Sequence, residues 1–368
     1  MNDAMPPAVD AAAYRAIDHA RGARFIDVLD QRLLPHAVET RRLASAEAVA
    51  AAIRDMAVRG APLIGAVGAY GFALALDADP SDAGVARAHA MLDATRPTAV
   101  NLRWALDRVR ARILPHAPAM RANAAWDEAD AIRAEDVSIN ASLGLHGLSL
   151  LQDLMRDRER PLNVMTHCNA GALATCGFGT ATAPIFLAHA EGLPVHVWVS
   201  ETRPRMQGAS LTAWEMAQRD IPHTLIVDSA SGLLMRRGDV DLVIVGADRV
   251  ARNGDVCNKL GTYEKALAAA DNRVPFYVAL PSPTIDWSTE SGDAIPIEAR
   301  SSDEVLKVRG RGESGRSADV AIAGDSTRAL NFAFDVTPQR LVTGYLTERG
   351  LATDAATLSS LFPERRRS

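Results

Sequence analysis

Cysteine is scarce, and that sets the first boundary. Three thiols, Cys168, Cys176 and Cys257, stand in 368 residues. So small and odd a number excludes a disulfide framework and points to a reducing compartment. Their spacing is not that of zinc ligands, so no metal is expected. Positive charge has no surplus either. Forty Lys and Arg face 45 Asp and Glu, a net charge of −5, which leaves no basic footprint for nucleic acid. Long apolar runs are missing. The longest, residues 61–76, is interrupted by glycines and falls short of the ~20 residues of a membrane span, so it is expected to be a packed helix. The start, Met1-Asn-Asp-Ala-Met-Pro-Pro7, lacks the basic and apolar regions of a secretory signal. The expectation is a cytoplasmic protein with neither membrane nor nucleic-acid partners. Nucleotide fingerprints are missing as well. Gly177-Phe-Gly179 lacks a third glycine, and there is no P-loop and no Gly-x-Ser-x-Gly elbow, so no cofactor is expected.

What is present begins with helical patterning. Residues 1–22 read as a loose terminus, and 25–29 and 30–35 as two short strands. A helix is expected over 45–59 with Ser45 as its N-cap and Val49, Ile53 and Met56 at helical spacing. In Arg59-Gly-Ala-Pro62, Gly60 suits a helix end and Pro62 the first turn of the next helix, so Arg59 sits beside an anion-binding helix start. Arg96-Pro-Thr-Ala-Val-Asn101 repeats the device ahead of a helix over 101–112. Two further helices are expected over 131–139 and 143–156, with a domain boundary near 130–140: a small N-terminal domain over 1–135 and a catalytic domain over 136–368.

From residue 162 apolar strands alternate with helical segments. Strands are expected over 162–166, 195–200, 224–227, 242–245 and 275–280, and helices over 179–191, 209–219, 232–237 and 259–270. This alternation predicts an α/β fold, a parallel sheet with helices on both faces. Each strand ends in polar residues, and five such ends converging on the carboxyl edge of one sheet define a site. The chain is organised around the first, Thr166-His-Cys-Asn169. Positive potential from the following helix start is expected to favour the Cys168 thiolate; a small buried thiol is the structural alternative. Asp248, at the mouth of an apolar strand, is expected to lose hydration and hold a proton it can donate; an N-cap or a salt bridge to Arg249 or Arg252 is the structural alternative. Gln207 precedes a helix and offers an amide to polar substrate atoms. Lys259, read as lying at a helix start, is a phosphate candidate; a solvated lysine is the structural alternative.

Taken together these stretches resemble the methylthioribose-1-phosphate isomerases of methionine salvage. The matching motifs are Arg59-Gly-Ala-Pro62, Arg96-Pro-Thr-Ala-Val-Asn101, Thr166-His-Cys-Asn-Ala-Gly-Ala-Leu-Ala-Thr175, Glu201-Thr-Arg-Pro-Arg205 with Gln207-Gly208, Gly246-Ala-Asp-Arg249, Asn253-Gly-Asp255 with Asn258-Lys259, and Val274-Pro-Phe-Tyr-Val278. The resemblance runs from about residue 25 to 350. The wider superfamily includes ribose-1,5-bisphosphate isomerases and regulatory subunits of initiation factor 2B. The resemblance implies a homodimer, each chain with a smaller, mainly helical N-terminal domain and a Rossmann-like parallel-sheet C-terminal domain. It implies Cys168 and Asp248 as the catalytic pair. It implies substrate contacts from Arg59, Gly60, Ala61, Arg96, Gln207, Asn258 and Lys259 to a sugar phosphate, with neither metal nor cofactor. The implied reaction turns the aldose 5-methylthioribose 1-phosphate into a 1-phospho-ketose. The alternatives are a related isomerase of 5-deoxyribose 1-phosphate or ribose 1,5-bisphosphate, and a non-catalytic regulatory subunit. Residues 301–331, charged and with a Gly/Arg-rich middle, depart from the pattern and are expected to form a mobile loop near the dimer contact or the site rim.

Overall fold

The computed structural model describes residues 14–96, 99–313, 315 and 317–365. Pro97 and Thr98 of the Arg96–Asn101 motif, Ser314 and Arg316 of the Gly/Arg-rich segment, and residues 1–13 of the expected loose terminus lie outside them. The first third is helical: α1 (Ala46–Arg54), α2 (Ala61–Ala78), α3 (Asp82–Asp93), α4 (Val100–Ile113) and α5 (Pro118–Met155). Ser45 caps α1 by accepting from the Ala48 N–H at 3.2 Å. α1 stops at Arg54, short of the expected 59, because Met56 takes a left-handed backbone, φ 58°. α2 is the apolar run. It is apolar enough by length to cross a membrane, yet it is wrapped by α1, α3, α4 and α5 and almost wholly buried. A three-stranded antiparallel sheet (Ile17–Asp18, Ile26–Leu29, Thr40–Leu43) lies at the chain's start. The expected strand over 30–35 is a turn instead, and 40–43 takes its place.

Two expected helices are one. α5 runs unbroken for 38 residues, across the 135/136 boundary. Asn140 and Ser142, in the gap between the two expected helices, bond back to the carbonyls of Asp136 and Ser138 at 2.8 and 3.1 Å, which lets polar side chains sit inside a helix. Its first half packs Trp126, Ala129 and Ile132 into the helical core. Its second half packs Leu143, Leu148 and Leu151 against the sheet. Gly147 permits close approach to the helix over residues 183–190, since a Cβ there would collide with Pro184.

The sheet has seven strands: β1 (Leu162–Thr166), β2 (Val195–Ser200), β3 (His223–Ile226), β4 (Leu242–Val245), β5 (Phe276–Ala279), β6 (Gly344–Thr347) and β7 (Gly350–Ala352). They lie in the order 7-6-5-4-1-2-3, parallel throughout except for antiparallel β7. β4 is a wholly buried Leu-Val-Ile-Val run and β1 is buried except at Asn163, as strands covered on both faces must be. Connecting helices α6 (Ala183–Ala190), α7 (Ala213–Ala217), α8 (Ser231–Arg236) and α9 (Thr262–Asp271) follow the expected alternation; α6, α7 and α9 are shorter than expected, and α8 is shifted by one residue. A smaller four-stranded sheet (Arg249–Ala251, Val256–Lys259, Ile285–Asp286, Phe334–Thr337) stands over its carboxyl edge. The expected mobile loop contains a short helix, Asp303–Leu306, and an antiparallel ribbon of Lys307–Arg311 with Ser317–Ala321.

Candidate active site

In doubly wound sheets ligands sit where the strand order reverses. Here that point lies between β1 and β4. Cys168 follows β1 and Asp248 follows β4, so the two come off neighbouring strands into one cleft. The start of α2 forms the opposite wall. Gly60 takes φ 101°, and its missing side chain lets the turn close on the Ala174 backbone, where a Cβ would stand 2.5 Å from Cα. Gly60 and Ala61 line the cleft, which places the unpaired N–H groups of an 18-residue helix start beside it.

Cations gather at that wall. Arg59 donates from Nη1 to Asn169 Oδ1 at 2.6 Å and from Nη2 to the Asn169 carbonyl at 3.0 Å, and its Nη2 lies 4.0 Å from Cys168 Sγ. Arg96 pairs with Glu298 at 3.2 Å, and Glu298 pairs with Arg300. Lys259 does not start a helix. It ends a strand of the small sheet, buried, with Nζ 5.0 Å from the Phe334 ring centre. Burial lowers its pKa while Cys168 and Asp248 work the other way. Gln207 lies at the start of a π-helical turn leading into α7, and its buried Oε1 has no hydrogen-bond partner. Asn258 donates to Thr262 Oγ1 at 3.1 Å. The structure thus brings all nine expected residues, Arg59, Gly60, Ala61, Arg96, Cys168, Gln207, Asp248, Asn258 and Lys259, to one cleft.

The two reactive groups are tuned by burial. Loss of hydration raises the Asp248 carboxyl above its usual value of 3.8, against the pull of Lys259, Arg59 and Arg96. This is the expected direction. The salt bridges that would have lowered it are absent, because Arg249 pairs with Asp286 at 3.4 Å and Arg252 with Glu290 at 2.7 Å. For Cys168 the expectation fails. Burial pushes its pKa up, and Arg59 and Lys259 only partly offset that. The expected helix start is not behind it: a 3₁₀ turn, Ala172–Ala174, intervenes and α6 begins only at Ala183.

Several working parts gave little sequence signal. Cys168 sits at φ 62°, and Thr202, Met206 and Met56 around it are also left-handed at 67°, 61° and 58°. Such backbones cost about 1–3 kcal/mol each and gather where a site needs a particular geometry. Cys168 is held by its own N–H donating to Thr202 Oγ1 at 2.8 Å and by Thr212 Oγ1 donating to its carbonyl at 2.5 Å. Asp228 in turn accepts from the N–H groups of Thr202 and Arg203 at 2.8 and 2.7 Å. Asn169 is part of the cysteine motif, but its bond to Arg59 spans 110 residues and needs the fold to be seen.

A profile of the initiation factor 2 subunit family matches residues 57–354. The chain belongs to that family. Within this family, the methylthioribose-1-phosphate isomerase of Rhizobium meliloti (strain 1021) is 55% identical over 357 residues, 96% of this chain and 98% of that protein. The crystal structure of 5-methylthioribose 1-phosphate isomerase from Pyrococcus horikoshii OT3 is similar at a TM-score of 0.81 and 37% identity, covering 95% of this chain and 96% of that one. The resemblance read from the motifs is borne out. A second family structure, from A. fulgidus and titled translation initiation factor eIF-2B subunit delta, gives a TM-score of 0.77 and 35% identity over 95% and 99% of the two chains. The family's mixed α/β fold therefore goes with both names, and side chains in the cleft must separate the functions.

Proposed function

We propose that this chain is an intramolecular aldose–ketose isomerase that converts 5-methylthioribose 1-phosphate into 5-methylthioribulose 1-phosphate in methionine salvage. The observation that carries the reading is Cys168 and Asp248 at the reversal point of the sheet, facing a cradle of three cations and a helix start. The 55% identical relative that bears this name supports it over nearly the whole chain. The substrate's anomeric oxygen is blocked by phosphate, so its ring opens only if the ring oxygen is protonated. Asp248, its carboxyl raised by burial, is the acid. Arg59, Arg96, Lys259 and the start of α2 hold the phosphate, while Gln207 and Asn258 hold polar sugar atoms. Binding energy spent there positions C1 and C2. Hydrogen then leaves C2 and arrives at C1, and the 2-hydroxyl gives up its proton. One proton enters at the ring oxygen and one leaves the 2-hydroxyl, so the site is restored when that proton returns to Asp248. Cys168 stands beside C2 and its hydroxyl and manages the proton there.

Met56, Ile64, Ile295 and Phe334 line the same cleft, which favours an apolar 5-substituent over a second phosphate. In this reading the protein is a cytoplasmic homodimer with a smaller helical N-terminal domain and a Rossmann-like catalytic domain. The strand order and the family resemblance support the domain arrangement, and the resemblance supports the dimer. The test is turnover of purified protein with 5-methylthioribose 1-phosphate, 5-deoxyribose 1-phosphate and ribose 1,5-bisphosphate. The methylthio sugar is expected to give the highest kcat/KM. Preference for another sugar reassigns the substrate, and no turnover of any of the three overturns the isomerase reading in favour of a regulatory subunit.

A further inference from the structure

Glu215 on α7 is fully buried, and nothing in the reaction calls for it. Burying a carboxylate is costly unless hydrogen bonds satisfy it. Three donors converge on this one. Tyr14 Oη and the Leu173 N–H donate to Oε1 at 2.8 and 3.0 Å, and Asn169 Nδ2 donates to Oε2 at 2.5 Å. The fold makes room for it at Gly171, where any Cβ would run into the Glu215 carboxylate. Burial raises its pKa, while Arg219 and the three hydrogen bonds favour the charged form.

The other end of the same Asn169 amide meets the cleft. Its Oδ1 accepts from Arg59 Nη1 at 2.6 Å. An amide can sit either way round unless its partners decide, since oxygen and nitrogen have nearly the same shape. A carboxylate can only accept, so it fixes Nδ2 on its own side and turns Oδ1 to the arginine. Thr212 Oγ1, whose proton goes to the Cys168 carbonyl, supports the same choice by accepting from Nδ2 at 3.2 Å. We infer that Glu215 is a positioning residue that acts through Asn169, setting the direction of its amide and so the placement of the Arg59 guanidinium that receives the substrate's phosphate.

This inference rests on the reading of Arg59 as a phosphate ligand. Its test uses inorganic phosphate, so it does not depend on the identity of the sugar. Glu215→Gln keeps the size but puts a donor among three donors. If the new Nε2 faces Asn169, that amide turns and presents Nδ2 to Arg59. The opposite orientation would keep the Asn169 amide in place but leaves the buried Leu173 N–H facing a donor and unpaired, a cost that disfavours it. Glu215→Ala removes the acceptor altogether. Phosphate affinity is expected to fall at least about tenfold in both variants, the loss of one charge-assisted contact. Tyr14→Phe removes a different donor from the same carboxylate and is expected to stay within about twofold. The decisive measurement is a double-mutant cycle. In an Asn169→Ala background, Glu215→Gln should weaken phosphate no further, because the residue it acts through is gone. Additive losses in the cycle, or an equal loss in Tyr14→Phe, would mean that Glu215 only packs the core, and the inference falls. Unchanged phosphate affinity in folded Glu215 variants, checked by circular dichroism, overturns it too. If the Glu215 variants do not fold, Asn169→Ala still decides, since unchanged phosphate affinity there breaks the chain. If Arg59→Ala leaves phosphate affinity untouched, the phosphate reading fails instead, which is a separate outcome.

Discussion

Replacing Asp248 with asparagine separates chemistry from stability in a single variant. The asparagine keeps the shape and the polar surface but cannot give up a proton to the ring oxygen. Positioned acid catalysis is worth about 10²–10⁴ in rate, which is about 2.7–5.5 kcal/mol of barrier. Turnover should fall by that factor while KM changes little, because the proposed phosphate ligands Arg59, Arg96 and Lys259 are untouched. The pH profile gives a second reading. The acid works when protonated, and burial raises its folded pKa above 3.8, so kcat/KM should decline as pH rises through that raised value. Phosphate bound there as proposed would strengthen the effect: it would neutralise the three cations that pull the carboxyl down, so substrate itself would favour the protonated form. The Asp248→Asn profile should lose this limb. Stability should move the other way. A carboxyl whose folded pKa is raised contributes fully below its unfolded value, and that contribution is lost as pH rises through the folded one. At neutral pH the wild type therefore carries a charge-burial cost that asparagine does not. Asp248→Asn should melt at a higher temperature near pH 7, with the gain vanishing toward pH 3.8 and below. Stopped assays and thermal melts across pH measure both. Near-normal turnover, or an unchanged alkaline limb in the variant, refutes the assignment.

Arg59→Ala, Arg96→Ala and Lys259→Ala should each weaken sugar phosphate and inorganic phosphate together, by calorimetric titration; three unchanged affinities would misplace the cradle. Burial raises all three thiols, Cys257 to about 12 and Cys176 well above its ordinary value. Cys168 should therefore alkylate more slowly than free cysteine at neutral pH, faster as pH rises, and more slowly again with phosphate bound; mass spectrometry of iodoacetamide adducts reads this directly, and fast neutral-pH modification would contradict it. Gly60→Ala puts a Cβ into the Ala174 backbone at φ 101° and should cost at least about 1–3 kcal/mol in a denaturant titration; a loss under half that would mean the turn is loose. A thiol held protonated is a poor base at C2, and the buried Ala172, Leu173 and Ala174 beside it disfavour a bare anion. Isomerisation in D₂O should thus leave C1 of the ketose free of deuterium, as a hydride shift requires; substantial label at C1 would restore an enolate route.

Five of the sheet's seven strands were legible, because strands buried on both faces read as apolar runs that end abruptly; Gly344–Thr347 and Gly350–Ala352, a short hairpin at the sheet's edge, were not among the expected strands. Leu162–Thr166, Val195–Ser200 and Leu242–Val245 were bounded correctly for that reason. The nine cleft residues were legible because their motifs fall on strand ends and helix starts. Arg59 shows the limit of that view. The motif places it beside a helix start, but its grip on Asn169, and Glu215 behind that, join residues 110 and 46 positions apart. Nothing local marks Glu215 among Trp214 and Met216. The thiol was misread because a turn was taken for a helix start, and because desolvation outweighs two nearby cations. The two helices expected over 131–139 and 143–156 are one because the polar side chains in the gap, Asn140 and Ser142, bond back along the helix instead of ending it.

α5 has a mechanical consequence. At 1.5 Å per residue its 38 residues make a rod about 57 Å long, sunk at one end in the helical core and at the other against the sheet. Arg59 and the start of α2 hang from the first body, and the acid, the thiol and Lys259 hang from the second. No flexible joint at residue 135 is available for these bodies to swing upon. The beam sets the gauge between the Arg59 wall and the acid, so opening of the cleft falls to its rim. A bend anywhere along that beam would then reach the chemistry as lost alignment well before the protein unfolds.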